Sequence, residues 1–143
     1  MEVFQNHVLV TSFIAWITAQ TLKLLIYLLK DRELNLSHLV SSGGMPSSHS
    51  ALVSALATDI GIHDGVQSSS FALAVVFASV VMYDAAGIRQ AVSIQARLLN
   101  RLLDEYFRRQ KWNEERLREL LGHTRIEVVM GASLGIAIAL AGL

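Results

Sequence analysis

A chain of 143 residues has room for one compact domain and little else. Its 52% hydrophobic content and mean hydropathy of +0.44 are high for a soluble domain, while 12 basic residues against 12 acidic ones leave no net formal charge. The absence of cysteine excludes disulfides, thiolate metal sites and cysteine nucleophiles, and no nucleic-acid partner is expected.

Residues 8–29 form a near-continuous apolar segment, interrupted mainly by Gln20 and Lys23. It is long enough for the roughly 20 residues a spanning helix needs. Glu2 and the overlong run without a basic flank argue for a retained helix rather than a cleaved secretory signal. Lys30 and Arg32 follow it. Next comes the polar turn Gly43-Gly44-Met45-Pro46-Ser47-Ser48-His49-Ser50, set directly against an apolar run that starts at Ala51. A helix start offers unpaired N–H donors and the positive end of its dipole, which together suit a phosphate.

Residues 51–62 make a second, marginal membrane helix, and residues 71–88 a third. The following segment, 90–121, contains neither Pro nor Gly. Its apolar residues Ile94, Leu98, Leu99, Leu102, Leu103, Tyr106 and Phe107 recur at three- and four-residue intervals, the pattern of an amphipathic helix. A second helical piece over 113–121 opens with Glu114 and Glu115, and Gly122 ends it. An interfacial helix on the headgroups is the favoured reading, and a coiled-coil contact in a homo-oligomer is the other. Residues 126–143 supply the fourth membrane helix. The expected fold is therefore all-α, one domain over 1–143: a polytopic bundle of about four transmembrane helices with an amphipathic cytoplasmic insertion at about 90–121.

Apart from Lys23, every Lys and Arg lies at 30–32 or 89–125, whereas the N-terminus and the 63–70 connection have none. The positive-inside rule places the two basic connections in the cytoplasm or its organellar equivalent, with both termini opposite.

Ionisable groups within membrane helices are costly and mark function unless a local explanation serves. They are Lys23, Asp59, Asp84 and Glu127. Lys23 alone can be explained by snorkelling towards the headgroups near Lys30. Taken with its neighbours it gains weight: Lys23, His49, Asp84, Arg89, His123 and Glu127 all fall near helix ends at one membrane level. His123 and Glu127 are four residues apart and share a helix face, so the carboxylate can orient the ring and leave the other nitrogen free as a nucleophile. A metal pair is the weaker alternative. His7, His38 and His63 read as ordinary surface or interface histidines.

These residues, in this order, resemble the type-2 phosphatidic acid phosphatase and vanadium haloperoxidase superfamily. Lys23 and Lys30 have the spacing of its first motif, with Lys30 in place of arginine and Asp31 in place of proline. Pro46-Ser47-Ser48-His49 matches Pro-Ser-Gly-His, with Ser48 in place of glycine. His123 and Glu127 match its closing His-x-x-x-Asp, with glutamate in place of aspartate. The Ser-Arg element is the poorest fit; Arg89, after a membrane helix, is favoured over Arg118. The whole chain is similar to the small bacterial and plastid branch of divergent members.

The resemblance implies a phosphohistidine mechanism. His123 attacks phosphorus, Glu127 orients it and His49 protonates the departing alkoxide. Lys23, Arg89, Lys30 and Ser48 bind the phosphate oxygens, and Asp84 supports Arg89 or a histidine. No metal or other cofactor is needed. Since the basic connections put this site on the cytoplasmic or stromal side, an inner-leaflet phosphomonoester such as phosphatidylglycerophosphate or phosphatidic acid is the expected substrate. The host membrane would be a bacterial inner membrane or a plastid membrane. Two other readings remain: a noncatalytic membrane protein of the same fold that binds anionic lipid or a partner protein, and a small transporter subunit.

Overall fold

The computed structural model describes residues 6–31, 44–106 and 122–142. Among them are five α-helices and no strand: α1 (His7–Asp31), α2 (Ser48–His63), α3 (Ser69–Ala86), α4 (Ile88–Tyr106) and α5 (Arg125–Leu140). The helix starts are written locally. Ser47, Ser68 and Thr124 each sit in extended conformation before a helix and accept an orphan N–H on the side-chain oxygen, from Ser50, Phe71 and Glu127 respectively. Such a cap stabilises a helix by about 1 kcal/mol.

The third helix ends earlier than its apolar run suggests. Gly87 caps α3 by donating its N–H to the Tyr83 carbonyl at 2.9 Å, so Ile88 and Arg89 open α4 instead of closing α3. The amphipathic segment begins there and runs as one helix to Tyr106; the expected second piece, 113–121, lies outside the described residues. The last helix stops at Leu140.

α2 is the central helix and packs against α1, α3 and α5, whereas α4 touches only α3 among the described elements. The core explains this order. It consists of Ala15 and Ala19 from α1, Ala51 and Ala55 from α2, and Ile138 and Ala139 from α5, with Ile14 and Leu134 packed against it. Small side chains let helices approach closely. The tightest approach is α2 on α5, where a Cβ added at Gly131 would run into the Ser47 carbonyl and one at Gly135 into the Ala51 carbonyl. The Gly131-x-x-x-Gly135 spacing thus presents bare backbone to α2, the mode of association that works where apolar area gives no net driving force.

The large apolar side chains point outward instead. Phe13, Ile17, Leu25 and Leu29 on α1 and Leu73, Val76, Phe77 and Val80 on α3 are all exposed. Small residues inside and large ones outside is the distribution of helices that face lipid. α1 over His7–Leu29 and α3 over Ser69–Ala86 are long and apolar enough to cross a membrane. α2 and α5, with 16 residues each, are shorter. Four hydroxyls on these helices are satisfied within them: Ser12, Thr21, Thr58 and Ser79 donate to the carbonyl four residues back, at 2.6 to 2.9 Å.

Candidate functional site

Three helix ends meet at one end of the bundle: the C-terminal half of α1, the start of α2 and the start of α5. The α2 start is tied to α5 through its backbone, because the Ser47 N–H donates to the Glu127 carbonyl at 3.0 Å. The Ser47 hydroxyl oxygen then accepts from the Ser50 hydroxyl at 2.9 Å and from the Ser50 N–H at 3.4 Å. Ser47, Ser48 and Ser50 are buried, and His49 between them is exposed. This polar turn is pinned at its other end by Gly44, whose φ of +99° favours glycine and whose missing Cβ makes room for the Tyr27 ring and hydroxyl.

His123 precedes α5 and is 2% exposed. Its Nδ1 stands 3.2 Å from Glu127 Oε2, which also accepts the Thr124 N–H at 2.9 Å, while the Glu127 N–H donates to Thr124 Oγ1 at 3.3 Å. One carboxylate therefore completes a capping box and fixes the imidazole. With Nδ1–H committed to Glu127, Nε2 carries the free lone pair.

Burial holds His123 below the ordinary imidazole range. The Glu127 hydrogen bond and charge oppose this, whereas the positive charges of Lys23 and His49 add to the lowering. The same electrostatic neighbourhood brings Lys23, His49, Glu127 and His123 together. Lys23 is 2% exposed, so it lies inside the bundle, and the snorkelling explanation fails for it.

The remaining residues named from sequence fall as follows. Asp84 is half-buried in the last turn of α3. Lys30 belongs by its main chain to the last turn of α1, and Arg89 to the first turn of α4. Arg118 lies outside the described residues. An open groove of about 530 Å³ separates the end of α3 from the start of α5, lined by Met82, Tyr83, Val128 and Val129 with Arg125 beside them.

Comparisons with known proteins identify the family. The model of the Divergent PAP2 family matches residues 4–138. The chain belongs to that family. The uncharacterized membrane protein YuiD of Bacillus subtilis (strain 168) is 39% identical over 151 residues, an alignment that spans 98% of this chain and 96% of that protein. No solved structure matches at a significant level. The relative's description and the two apolar helices together support membrane association of this family member.

Reasoning from sequence overlooked three parts of this architecture. Gly131 and Gly135 were legible as a small-x-x-x-small pair in an apolar helix. Tyr27, one turn after Lys23, carries no motif, and its role in seating Gly44 follows only from packing. At the opposite end of the bundle, His7 and His63, read from sequence as ordinary surface or interface histidines, converge on the buried Asp59.

Proposed function

We propose that this protein is a membrane-embedded phosphatase that hydrolyses a lipid phosphomonoester through a phosphohistidine on His123. The observation that supports it most is the buried His123–Glu127 pair. Glu127 orients the ring, and a neutral Nε2 is available for attack because burial disfavours the imidazolium. In the first step Nε2 bonds to phosphorus and the phosphorus–alkoxide bond breaks. His49, exposed at the mouth, gives the alkoxide its proton. In the second step water attacks phosphorus, His49 takes the proton back, and the nitrogen–phosphorus bond breaks to free phosphate and His123.

Charge builds on the equatorial oxygens as phosphorus becomes five-coordinate. Lys23, Arg89 and Lys30 neutralise it, and Ser48 with the first N–H groups of α2 donate to it. Asp84 holds Arg89 or a histidine in place. The scheme requires no metal. The groove beside Arg125 suits an acyl chain leaving the headgroup site towards the hydrocarbon.

Four spans are proposed, with α2 and α5 included although each measures about 24 Å against a hydrocarbon core of about 30 Å. α2 is largely buried in the bundle, whereas α5 exposes Ile126, Val129, Met130, Ile136 and Leu140, and a span shorter than the hydrocarbon is accommodated by local thinning of the bilayer. The Lys/Arg distribution supports a site on the cytoplasmic or stromal side, in a bacterial inner membrane or plastid membrane. Phosphatidylglycerophosphate or phosphatidic acid, presented in that leaflet, is the substrate class.

One observation favours a second reading, in which the fold binds anionic lipid or a partner without turnover: lysine, serine and glutamate stand at Lys30, Ser48 and Glu127, where the superfamily motifs carry arginine, glycine and aspartate. Purified protein assayed on a panel of lipid phosphates, with His123→Ala alongside, separates the two. Phosphate release and an acid-labile phosphoenzyme, both lost in His123→Ala, support the enzyme. Lipid binding without release by the wild type rejects it.

A further inference from the structure

The cluster at the far end of the bundle has its own chemistry. α1 and α2 run antiparallel, so His7 at the start of α1 meets Asp59 and His63 at the end of α2. His63 lies 14 residues along α2 from His49, roughly 20 Å at the helical rise, which separates this cluster from the phosphate site. Asp59 is 1% exposed, whereas the His7 and His63 side chains are 48% and 49% exposed. A carboxylate so deeply buried is costly unless it is fully compensated.

Compensation within the described residues is only partial. Oδ2 of Asp59 stands 3.0 Å from His7 Nδ1. Oδ1 stands 3.3 Å from His63 Nδ1, yet accepts no aligned hydrogen bond. That imidazole nitrogen instead donates to the Asp59 main-chain carbonyl at 3.0 Å, a proton that metal binding through the same nitrogen displaces. One buried carboxylate oxygen is thus left without a hydrogen bond beside two imidazole rings whose centroids are 4.9 Å apart and tilted by 45°.

We propose that His7, Asp59 and His63 bind a zinc ion. One ligand atom from each residue lies within 4.8 Å of the others; a tetrahedron built on bonds of about 2.0–2.1 Å has edges of about 3.3–3.4 Å, which the 3.3 Å His63–Asp59 separation meets and the 3.0 Å His7–Asp59 separation reaches by opening about 0.3 Å as zinc replaces the shared proton. Asp59 and His63 are one turn apart, the spacing with which a helix presents two ligands on one face. His7 supplies the third from a separate helix. Two neutral imidazoles and one carboxylate suit zinc among the divalent ions and disfavour magnesium, which prefers an all-oxygen shell. Three protein ligands leave a fourth position for water, and the exposed sides of both imidazoles give the ion a path in. Bound there, zinc fastens the first turn of α1 to the last turn of α2. Nothing in this assignment depends on the phosphatase reading.

The test uses the full chain, purified in detergent and stripped with chelator, titrated with zinc chloride by calorimetry and by thermal unfolding. The wild type should take up one equivalent and rise in Tm, and magnesium chloride should do neither. His7→Gln and His63→Gln, both at half-exposed positions that tolerate substitution, should each weaken zinc binding by at least roughly tenfold, the loss found even for outer-shell partners of a metal ligand. His123→Ala should bind as the wild type does. Failure of the folded wild type to bind zinc overturns the proposal and leaves a hydrogen-bonded His–Asp–His cluster. So does undiminished binding in both glutamine variants, or loss of the zinc-dependent rise in His123→Ala.

Discussion

The main-chain N–H of Ser47 donates to the main-chain carbonyl of Glu127 across 3.0 Å, so the residue that caps α2 is bonded to the residue that orients His123. One turn further along α5, Gly131 holds the two backbones in contact at the same serine. Alignment of the serine-rich turn with the histidine therefore depends on how closely α2 and α5 approach.

Gly131→Ala and Gly135→Ala should each separate these helices, because the added methyl meets main-chain carbonyls that cannot rotate away. Overpacking of this kind costs about 1–3 kcal/mol. Thermal unfolding in detergent should show a lower Tm for both variants, with Ser133→Ala, an exposed position on the same helix, unchanged.

The two histidines should fail differently. His123→Ala should abolish turnover of every phosphate ester, since no phosphoenzyme forms without the nucleophile. His49→Ala should lose about 10²–10⁴-fold on an alkyl lipid phosphate and much less on an aryl phosphate, whose leaving group needs no proton. Equal loss of both activities in His49→Ala, with activity surviving in His123→Ala, would reverse the assignment. Vanadate, a mimic of five-coordinate phosphorus, should inhibit the wild type.

The pH profile should report on Glu127. Attack requires neutral His123, so activity rises with pH through the His123 pKa, and burial places that limb below the ordinary imidazole range. Glu127 favours the imidazolium; without its charge the limb should move to still lower pH. Glu127→Gln keeps an oxygen for the Thr124 N–H, so it should fold normally while kcat drops by roughly 10–100-fold and the acidic limb shifts downward. An upward shift would show that the carboxylate does not face His123 in solution.

Sidedness is open to chemical labelling. Single cysteines at Ser68 and Asn113 lie on connections of opposite charge character. An impermeant maleimide applied to intact cells should label the Ser68→Cys protein and spare Asn113→Cys until the membrane is opened. The reverse pattern would put the candidate site on the outside.

Relationships within one helix were legible in the sequence, because 3.6 residues per turn fixes which side chains share a face. The facing of His123 and Glu127, the amphipathic pattern of residues 94–106, and the apolar lengths of α1 and α3 all follow from spacing alone. Punctuation was less certain: a continuous apolar run hid the break at Gly87, since one hydrogen bond from a glycine N–H decides it.

Relationships between helices were decided by the tertiary structure. Apolar segments show that α1, α2, α3 and α5 pack together, but not their register, which small residues set by allowing one particular close approach. Gly131 and Gly135 against Ser47 and Ala51 bring the Ser47 turn to His123. The antiparallel seating of α1 on α2, through Ala15, Ala19, Ala51 and Ala55, buries Lys23 beside Glu127 and His123 at one end. It also closes His7 and His63 around Asp59 at the other. Lys23 and Glu127 are 104 residues apart in the chain, and only the packed backbones bring their charges within reach of each other.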